Sequence, residues 1–177
     1  SLINNGYTPI IIDNFSNSHK SVIKKLEIIT NKKIKVYSLD VRDKKKLRLI
    51  FKKHPCHCVI HCAGFKSVEE SVKKPLSYFE NNIGSTISLL ETMEEHKVFK
   101  LIFSSSAVVY NNNQSLPFKE NSLTGNVSNP YGATKYIIEK ILTNVSKFDK
   151  RWSLRIARYF NPISNHSSGL IRENPRG

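Results

Sequence analysis

The sequence predicts an α/β fold built on a mostly parallel sheet with helices on both faces. Short apolar runs rich in β-branched residues alternate with longer stretches whose apolar residues stand three and four apart. This order of strand, helix and strand requires right-handed crossovers, which give parallel strands covered by helices. The length of 177 residues fits a single domain, residues 1–177.

Five strands and four helices account for this alternation. The strands are expected at residues 8–13, 33–39, 57–61, 100–104 and 152–159, and the helices at 20–30, 43–53, 75–95 and 130–145. Asn129 is a suitable N-cap for the last helix, and Pro130 suits its first position. Residues 111–129 are rich in Asn, Ser, Gly and Pro and predict a loop.

The charge is strongly basic, with 28 Lys and Arg against 14 Asp and Glu, a formal net charge of +14. Such an excess attracts polyanions, including a nucleotide-sugar or RNA. The lysines are scattered, however, and form no long stripe with interleaved aromatics, so a solvated surface without specific nucleic-acid binding is expected. No apolar run approaches the ~20 residues of a membrane span, and the first residues lack the pattern of a signal peptide.

The three cysteines all lie within residues 54–62, among three histidines. An odd, clustered count argues against a disulfide framework and for a reducing compartment, hence a cytoplasmic protein. Side chains two apart on a strand lie ~6.5–7 Å from each other. Ligands so spaced cannot converge on a zinc ion with bonds of ~2.0–2.3 Å. We therefore expect no metal site, and cysteines that serve as small core residues.

Chemistry-bearing residues cluster where strands end, which is where parallel sheets bind ligands. Tyr131 and Lys135 are four apart on a predicted helix, so both lie on one face. An ammonium beside a phenol stabilises the phenolate, which suits a general acid or base. Ser106 could relay a proton, and Asp13 could accept both hydroxyls of an adenosine ribose. Equally, the aspartates could only start turns, and the serines could only begin a loop.

Five segments, taken together and in order, resemble the extended short-chain dehydrogenase/reductase family, also described as NAD-dependent epimerases and dehydratases. They are residues 59–68, residues 71–76 with Asn81 and Asn82, residues 103–110, residues 129–135, and residues 154–162, which end in Arg158-Tyr159-Phe160-Asn161-Pro162. The resemblance implies a Rossmann-like, doubly wound parallel sheet that holds NAD. Asp13 is followed by Asn14 and Phe15 without an arginine, which favours NAD over its 2′-phosphorylated form.

The resemblance also implies residue roles. Residues expected to bind the cofactor are Asp13, Asn14, Phe15, Ser16, Asn17, Ser18, Asp40, Val41, Cys62, Ala63, Gly64, Phe65, Lys66, Asn81, Ser106, Tyr131, Lys135 and Phe160. Residues expected to contact a UDP-sugar substrate are Ser106, Tyr131 and Asn161.

The implied reaction is the interconversion of UDP-glucose and UDP-galactose, a step of galactose metabolism. Tyr131 would take the proton of the sugar 4-hydroxyl while NAD oxidises C4, and the 4-keto sugar would then turn over and be reduced on its other face. Ser106 would assist the proton transfer, and Lys135 would hold the nicotinamide ribose. Sugar 4,6-dehydratases carry an acidic pair after this strand, whereas Ser106 is followed here by Ala107 and Val108, which favours epimerisation. A homodimer is expected by the same resemblance.

Two alternatives remain open at this point: an epimerase of another nucleotide-sugar, and a non-catalytic Rossmann-like protein with a basic binding surface. The family's first strand and Gly-rich, pyrophosphate-binding turn have no counterpart in the sequence, nor does its carboxyl-terminal substrate domain. We therefore expect an incomplete domain. The central strand between residues 8–13 and 57–61 would be missing, and these 177 residues alone would bind NAD weakly or not at all and could themselves be inactive.

Overall fold

The computed structural model describes residues 2–111, 113–161 and 166–171. This part of the chain contains five strands and five α-helices, with one helix between most successive strands and two between the third and the fourth. The strands are β1 (Ile10–Asp13), β2 (Lys35–Ser38), β3 (Val59–His61), β4 (Lys100–Ser106) and β5 (Ser153–Tyr159); the helices are α1 (Ser21–Thr30), α2 (Lys44–Lys53), α3 (Val68–Lys73), α4 (Pro75–Glu95) and α5 (Pro130–Phe148). Short 3₁₀ turns occupy Ile3–Asn5 and Ala107–Val109.

The strands form two parallel sheets, one in each of two compact units. The first unit comprises the described residues of 1–40 and 161–177, and the second comprises residues 41–160 apart from the undescribed residue 112. In the first unit β1 pairs with β2, and in the second the strand order is β3-β4-β5. Every strand pair is parallel, so the prediction of a parallel α/β fold is confirmed.

The first unit is small and only partly shielded from solvent. Leu39 alone among its described residues is buried, and β1 and α1 contribute no buried residue. Asn31 ends α1 in the left-handed conformation, which asparagine tolerates better than most residues. With so little buried surface, this unit depends mainly on hydrogen bonds, including the parallel ladder that joins β1 to β2.

The second unit has a continuous apolar core between its sheet and its helices. The side chains that are at most 1% exposed include Leu47, Tyr78, Met93, Leu101, Phe103, Ile138 and Leu142. Helix α5 begins as predicted, with Asn129 Oδ1 accepting the N–H of Gly132 at 2.8 Å and Pro130 at the first position. This cap fixes where the helix that carries Tyr131 and Lys135 starts.

Helix α3 was not predicted, although a start signal is present. Ser67 Oγ accepts the N–H of Glu70 at 3.2 Å, the Ser-x-x-Glu spacing of a capping box. The helix is only six residues long and ends at Lys73, and its C-cap Lys74 directly precedes Pro75, the first residue of α4. A helix this short has too few turns to show an apolar period.

The expectation that the cysteines are core residues is wrong. Cys58 and Cys62 are exposed and Cys56 is partly so. Ile60, which lies within β3 and shares the predicted face of the cysteines by strand alternation, is also 47% exposed, so this face of the strand is not a core face. None of the three thiols forms a disulfide. Across the described ranges, no helix is both long enough and apolar enough to cross a membrane.

Candidate active site

The first unit gathers polar side chains at the carboxyl ends of β1 and β2. Asp13 is the last residue of β1, and its carboxylate accepts the N–H of Phe15 at 2.7 Å and the hydroxyl of Ser18 at 3.2 Å. Asn14 Nδ2 donates to Asp40 Oδ2 at 3.2 Å. The structure therefore brings these five predicted residues together. Asp13 also starts a turn, which is the purely structural role that the sequence left open for it.

The turn that follows Asp13 is tight. Phe15 has a φ of +57°, in the left-handed region, and Asn14 Oδ1 accepts the N–H of Ser16 at 3.0 Å. Ser16 and Asn17 are exposed. A carboxylate has about four lone-pair positions, so two hydrogen bonds leave Asp13 with acceptor capacity for a ligand.

In the second unit, Lys135 lies in the second turn of α5 with its side chain buried. Its side chain is 6% exposed, and Nζ donates to the carbonyl oxygen of Ser104 at 2.7 Å. Nζ also lies 4.8 Å from the Phe103 ring centroid and 5.9 Å from that of Tyr131. Burial lowers the pKa of Lys135 to about 8, although the nearby Cys62 thiol opposes this shift. The predicted Tyr–Lys pair therefore exists as a close pair with the lysine buried.

The end of β4 lies against the start of α5. Ser106 is the last residue of β4, and its Oγ accepts the N–H of Val108 at 3.4 Å. A Cβ placed on Gly132 would lie 3.1 Å from Val108 Cγ2, so this glycine allows the close approach. Because Gly132 directly follows Tyr131, the predicted tyrosine and serine belong to adjoining segments.

Asn82, which carries part of the family resemblance but had no expected role, connects two parts of this unit. It is 2% exposed; its Nδ2 donates to Phe65 O at 3.1 Å and to Thr134 Oγ1 at 3.0 Å, and its Oδ1 accepts the N–H of Phe65 at 2.7 Å. Thr134 donates in turn to the carbonyl of Tyr131 at 2.7 Å. Asn81, the neighbour predicted to line the cofactor site, donates to Asn82 Oδ1 at 3.0 Å. Asn82 thus ties the loop after β3 to the helix that carries Tyr131.

The loop after β3 carries the other predicted cofactor residues of this unit. Cys62, Ala63 and Lys66 are exposed, and Gly64 has a φ of +153°. A Cβ on Gly64 would lie 3.1 Å from Asn82 Oδ1, so the loop backbone runs close over that side chain.

Three further residues predicted to contact cofactor or substrate, Val41, Phe160 and Asn161, lie outside the two clusters just described. Val41, in the second unit, offers a carbonyl that accepts the Ser88 hydroxyl at 2.9 Å. Phe160 is 60% exposed with its ring centroid 6.2 Å from that of Tyr110, and Asn161 is exposed in the first unit. Pro162 lies outside the described residues.

His61 is buried beside this centre and was not assigned a role. Its Nε2 is 3.0 Å from Thr86 Oγ1, and its ring centroid is 5.8 Å from that of Phe103. Burial, helped by the positive charge of Lys135, lowers the pKa of His61 to about 4. The histidine is therefore a neutral hydrogen-bonding residue at pH 7.

The histidine and cysteine cluster does not converge. His57 Nε2 lies 2.9 Å from Lys100 Nζ, whereas His61 is engaged with Thr86. Among the residues that the structure describes, no three His, Cys, Asp or Glu side chains are grouped so as to hold a metal ion.

Parallel strands that end in polar residues, together with a Tyr-x-x-x-Lys helix packed against a serine-ended strand, define a dehydrogenase-like nucleotide-binding class. Within that class, the chain belongs to the NAD dependent epimerase/dehydratase family, whose pattern matches residues 1–174.

The relatives of the chain agree with this assignment. It is 46% identical over 176 residues to a UDP-glucose 4-epimerase of Yersinia pestis, a match covering 99% of this chain and 52% of that protein. A UDP-glucose 4-epimerase of Bifidobacterium longum in complex with NAD+ and UDP superposes with a TM-score of 0.96 at 45% identity, covering 99% and 52%. One from Stenotrophomonas maltophila, with bound NAD and formylated UDP-arabinopyranose, gives 0.95 at 37%, with the same coverage. The chain thus spans about half the length of the curated relatives it matches.

Proposed function

We propose that the protein containing these residues is an NAD-dependent UDP-glucose 4-epimerase, which interconverts UDP-glucose and UDP-galactose. The observation that carries this proposal is the buried ammonium of Lys135, 5.9 Å from the Tyr131 ring and bonded to Ser104, within a chain of this family. Similar proteins named UDP-glucose 4-epimerase bind NAD together with UDP or a UDP-sugar, which supports the choice of cofactor and substrate class.

The residues present fit NAD. The Asp13 carboxylate keeps acceptor capacity at the end of β1, as a ribose with two hydroxyl groups requires. Asn14 to Ser18 and Asp40, with Val41, would hold the adenosine, and Cys62 to Lys66, Asn81 and Phe160 would line the rest of the cofactor site. When bound, NAD supplies the reversible oxidation of the sugar at C4.

Tyr131 would move the proton of the sugar 4-hydroxyl. The Lys135 ammonium lies 5.9 Å from the Tyr131 ring centroid, and Lys135 would also hold the nicotinamide ribose. Ser106 would donate a hydrogen bond to the same sugar oxygen, and Asn161 would contact the nucleotide-sugar. No carboxylate follows Ser106 in the Ala107–Val109 turn, so the elimination step of a dehydratase has no acid or base there.

Two expectations about the whole protein belong to this proposal. The odd and clustered count of three cysteines supports a cytoplasmic location. Family membership supports a homodimer, and light scattering of the purified protein tests it, with twice the protomer mass expected.

The function is tested by assaying the product of the natural gene that carries these residues. With NAD present, UDP-galactose should be converted to UDP-glucose, and Tyr131→Phe should lower kcat by about 10²- to 10⁴-fold because a general acid or base is lost. Tyr136→Phe is the matched control, since it removes a hydroxyl from the same helix outside the proposed site. A protein that does not convert UDP-galactose, or a Tyr131→Phe variant as active as the control, would overturn the proposal.

A further inference from the structure

A buried carboxylate lies two turns beyond Tyr131 on α5 and has no role in the reaction just described. Glu139 is 5% exposed, and its Oε1 accepts the Ser105 hydroxyl at 2.6 Å. Arg158 Nε donates to Oε1 at 3.0 Å, and its Nη2 donates to Oε2 at 2.8 Å. Both oxygens of Glu139 are thus held by directional hydrogen bonds.

Arg158 is itself fixed on two further sides. Its guanidinium carbon lies 4.8 Å from the Tyr110 ring centroid, and Nη1 donates to the carbonyl of Glu120 at 3.0 Å. The side chain is 19% exposed. Because the planar guanidinium pairs with Glu139 through two nitrogens, it restricts the orientation of that carboxylate.

These contacts fix helix α5 on strand β4. Tyr131, Lys135 and Glu139 are four residues apart and share one helix face. Lys135 bonds the carbonyl of Ser104, and Glu139 bonds the hydroxyl of the next residue, Ser105. Two bonds to adjacent strand residues from adjacent helical turns oppose both sliding and rotation of the helix.

We propose that Glu139, clamped by Arg158 and Ser105, is a positioning residue that sets the register of α5 on β4 and so holds Tyr131 beside the serine end of that strand. This inference rests on the proposed function, because it assigns Glu139 a part in preparing the same centre. Glu139 acts through α5 and touches no reacting atom.

The competing explanation is that the ion pair only stabilises the fold. Buried ion pairs are weak sources of stability, and apolar residues of similar size often replace them without loss. A doubly apolar pair would therefore restore stability but not the directional bonds. This difference separates the two roles.

The experiment compares Glu139→Gln, the double variant Glu139→Met with Arg158→Met, and Leu47→Ala with the unmodified gene product. Leu47→Ala destabilises the fold from α2, away from α5. Each protein is assayed for thermal unfolding and for kcat and KM with UDP-galactose, well below its Tm. We expect Glu139→Gln to lower kcat about 10- to 100-fold with KM changed by less than about twofold. The double variant should regain the Tm but stay at least about tenfold low in kcat, and Leu47→Ala should lower the Tm alone.

Recovery of kcat together with Tm in the double variant would overturn the proposal. So would a loss in Glu139→Gln no larger than that in Leu47→Ala. If the unmodified protein does not turn over UDP-galactose, the proposed function fails, and the positioning role is judged by NMR titration of ¹³C-labelled lysine. A shifted Lys135 titration in Glu139→Gln but not in Leu47→Ala supports the role, and an unshifted one overturns it.

Discussion

The two units arrange their polar residues in opposite ways. In the first unit three bonds of the Asp13 turn join residues two to five apart in sequence, at partly or fully exposed positions, and Asn14 also donates to Asp40 at an exposed position. In the second unit Lys135 and Asn82 bond residues 31 and 52 positions away, at buried positions. The residues proposed to bind the cofactor's ribose thus lie on a tight turn, whereas the residues proposed to perform the chemistry are held by the core. Substitutions of these polar residues should therefore lower the free energy of unfolding far more in the second unit than in the first.

The largest effect should come from Asn82→Ala, with Asn14→Ala as its counterpart in the first unit. Removing Asn82 leaves the Phe65 amide and carbonyl and Thr134 without these partners, at about 1–3 kcal/mol for each buried group, so we expect a loss of about 3–5 kcal/mol. Asn14 makes its bonds near solvent, where water replaces them at a cost of about 0.5 kcal/mol. Urea unfolding measures both, and equal losses would contradict the contrast between the units.

Lys135→Met should separate activity from stability. We expect kcat to fall about 100-fold because the ammonium near Tyr131 is lost. The folded-state pKa of Lys135, about 8, lies below its unfolded value. The unfolded state therefore binds more protons between about pH 8 and 10.5, and this lysine makes stability rise with pH in that window. The variant should lack that rise, as measured by thermal unfolding at pH 8 and 10. A parent and variant with identical pH dependence would show that the lysine is not buried.

The low pKa of His61 should make the stability of the second unit sensitive to acid. Its folded-state pKa of about 4 lies below the ordinary value of 6.5, so stability is fully present above pH 6.5 and is lost as the pH falls towards 4. The expected loss is roughly 2–3 kcal/mol. His61→Gln keeps a polar partner for Thr86 but cannot titrate, so its stability should change less over this range in urea unfolding. An equally steep decline in the variant would assign the acid sensitivity to other groups.

The smallest effect should come from Asp13→Asn in the first unit. The amide keeps an oxygen to accept the Phe15 N–H, so stability should change by less than about 1 kcal/mol. The lost charge should weaken NAD binding about tenfold, because a ribose hydroxyl donates more strongly to a carboxylate than to an amide. Calorimetric titration of the gene product with NAD measures this, and unchanged affinity would remove Asp13 from the site.

The sequence could predict features set by neighbouring residues, but not contacts between residues far apart in the chain. The shared helix face of Tyr131 and Lys135 was predictable because a spacing of four is visible in the sequence, and the place of Asp13 at a strand end because it closes a β-branched run. The partner of Lys135 is a backbone carbonyl, which leaves no signature. Asn82 and Glu139 act through partners 52 and 34 positions away, so only the folded core reveals them. The cysteines were misplaced because alternation shows which residues share a face of β3 but not that this face, with Ile60, is exposed.

The most direct test of the central claim is the conversion of UDP-galactose in D₂O by the natural gene product with NAD. If C4 is oxidised and reduced by NAD while Tyr131 moves only the hydroxyl proton, the UDP-glucose formed carries no deuterium at C4, as seen by NMR or mass spectrometry. Deuterium at C4 would instead show that a solvent-exchanging base removes the carbon-bound hydrogen, and that result would contradict the account.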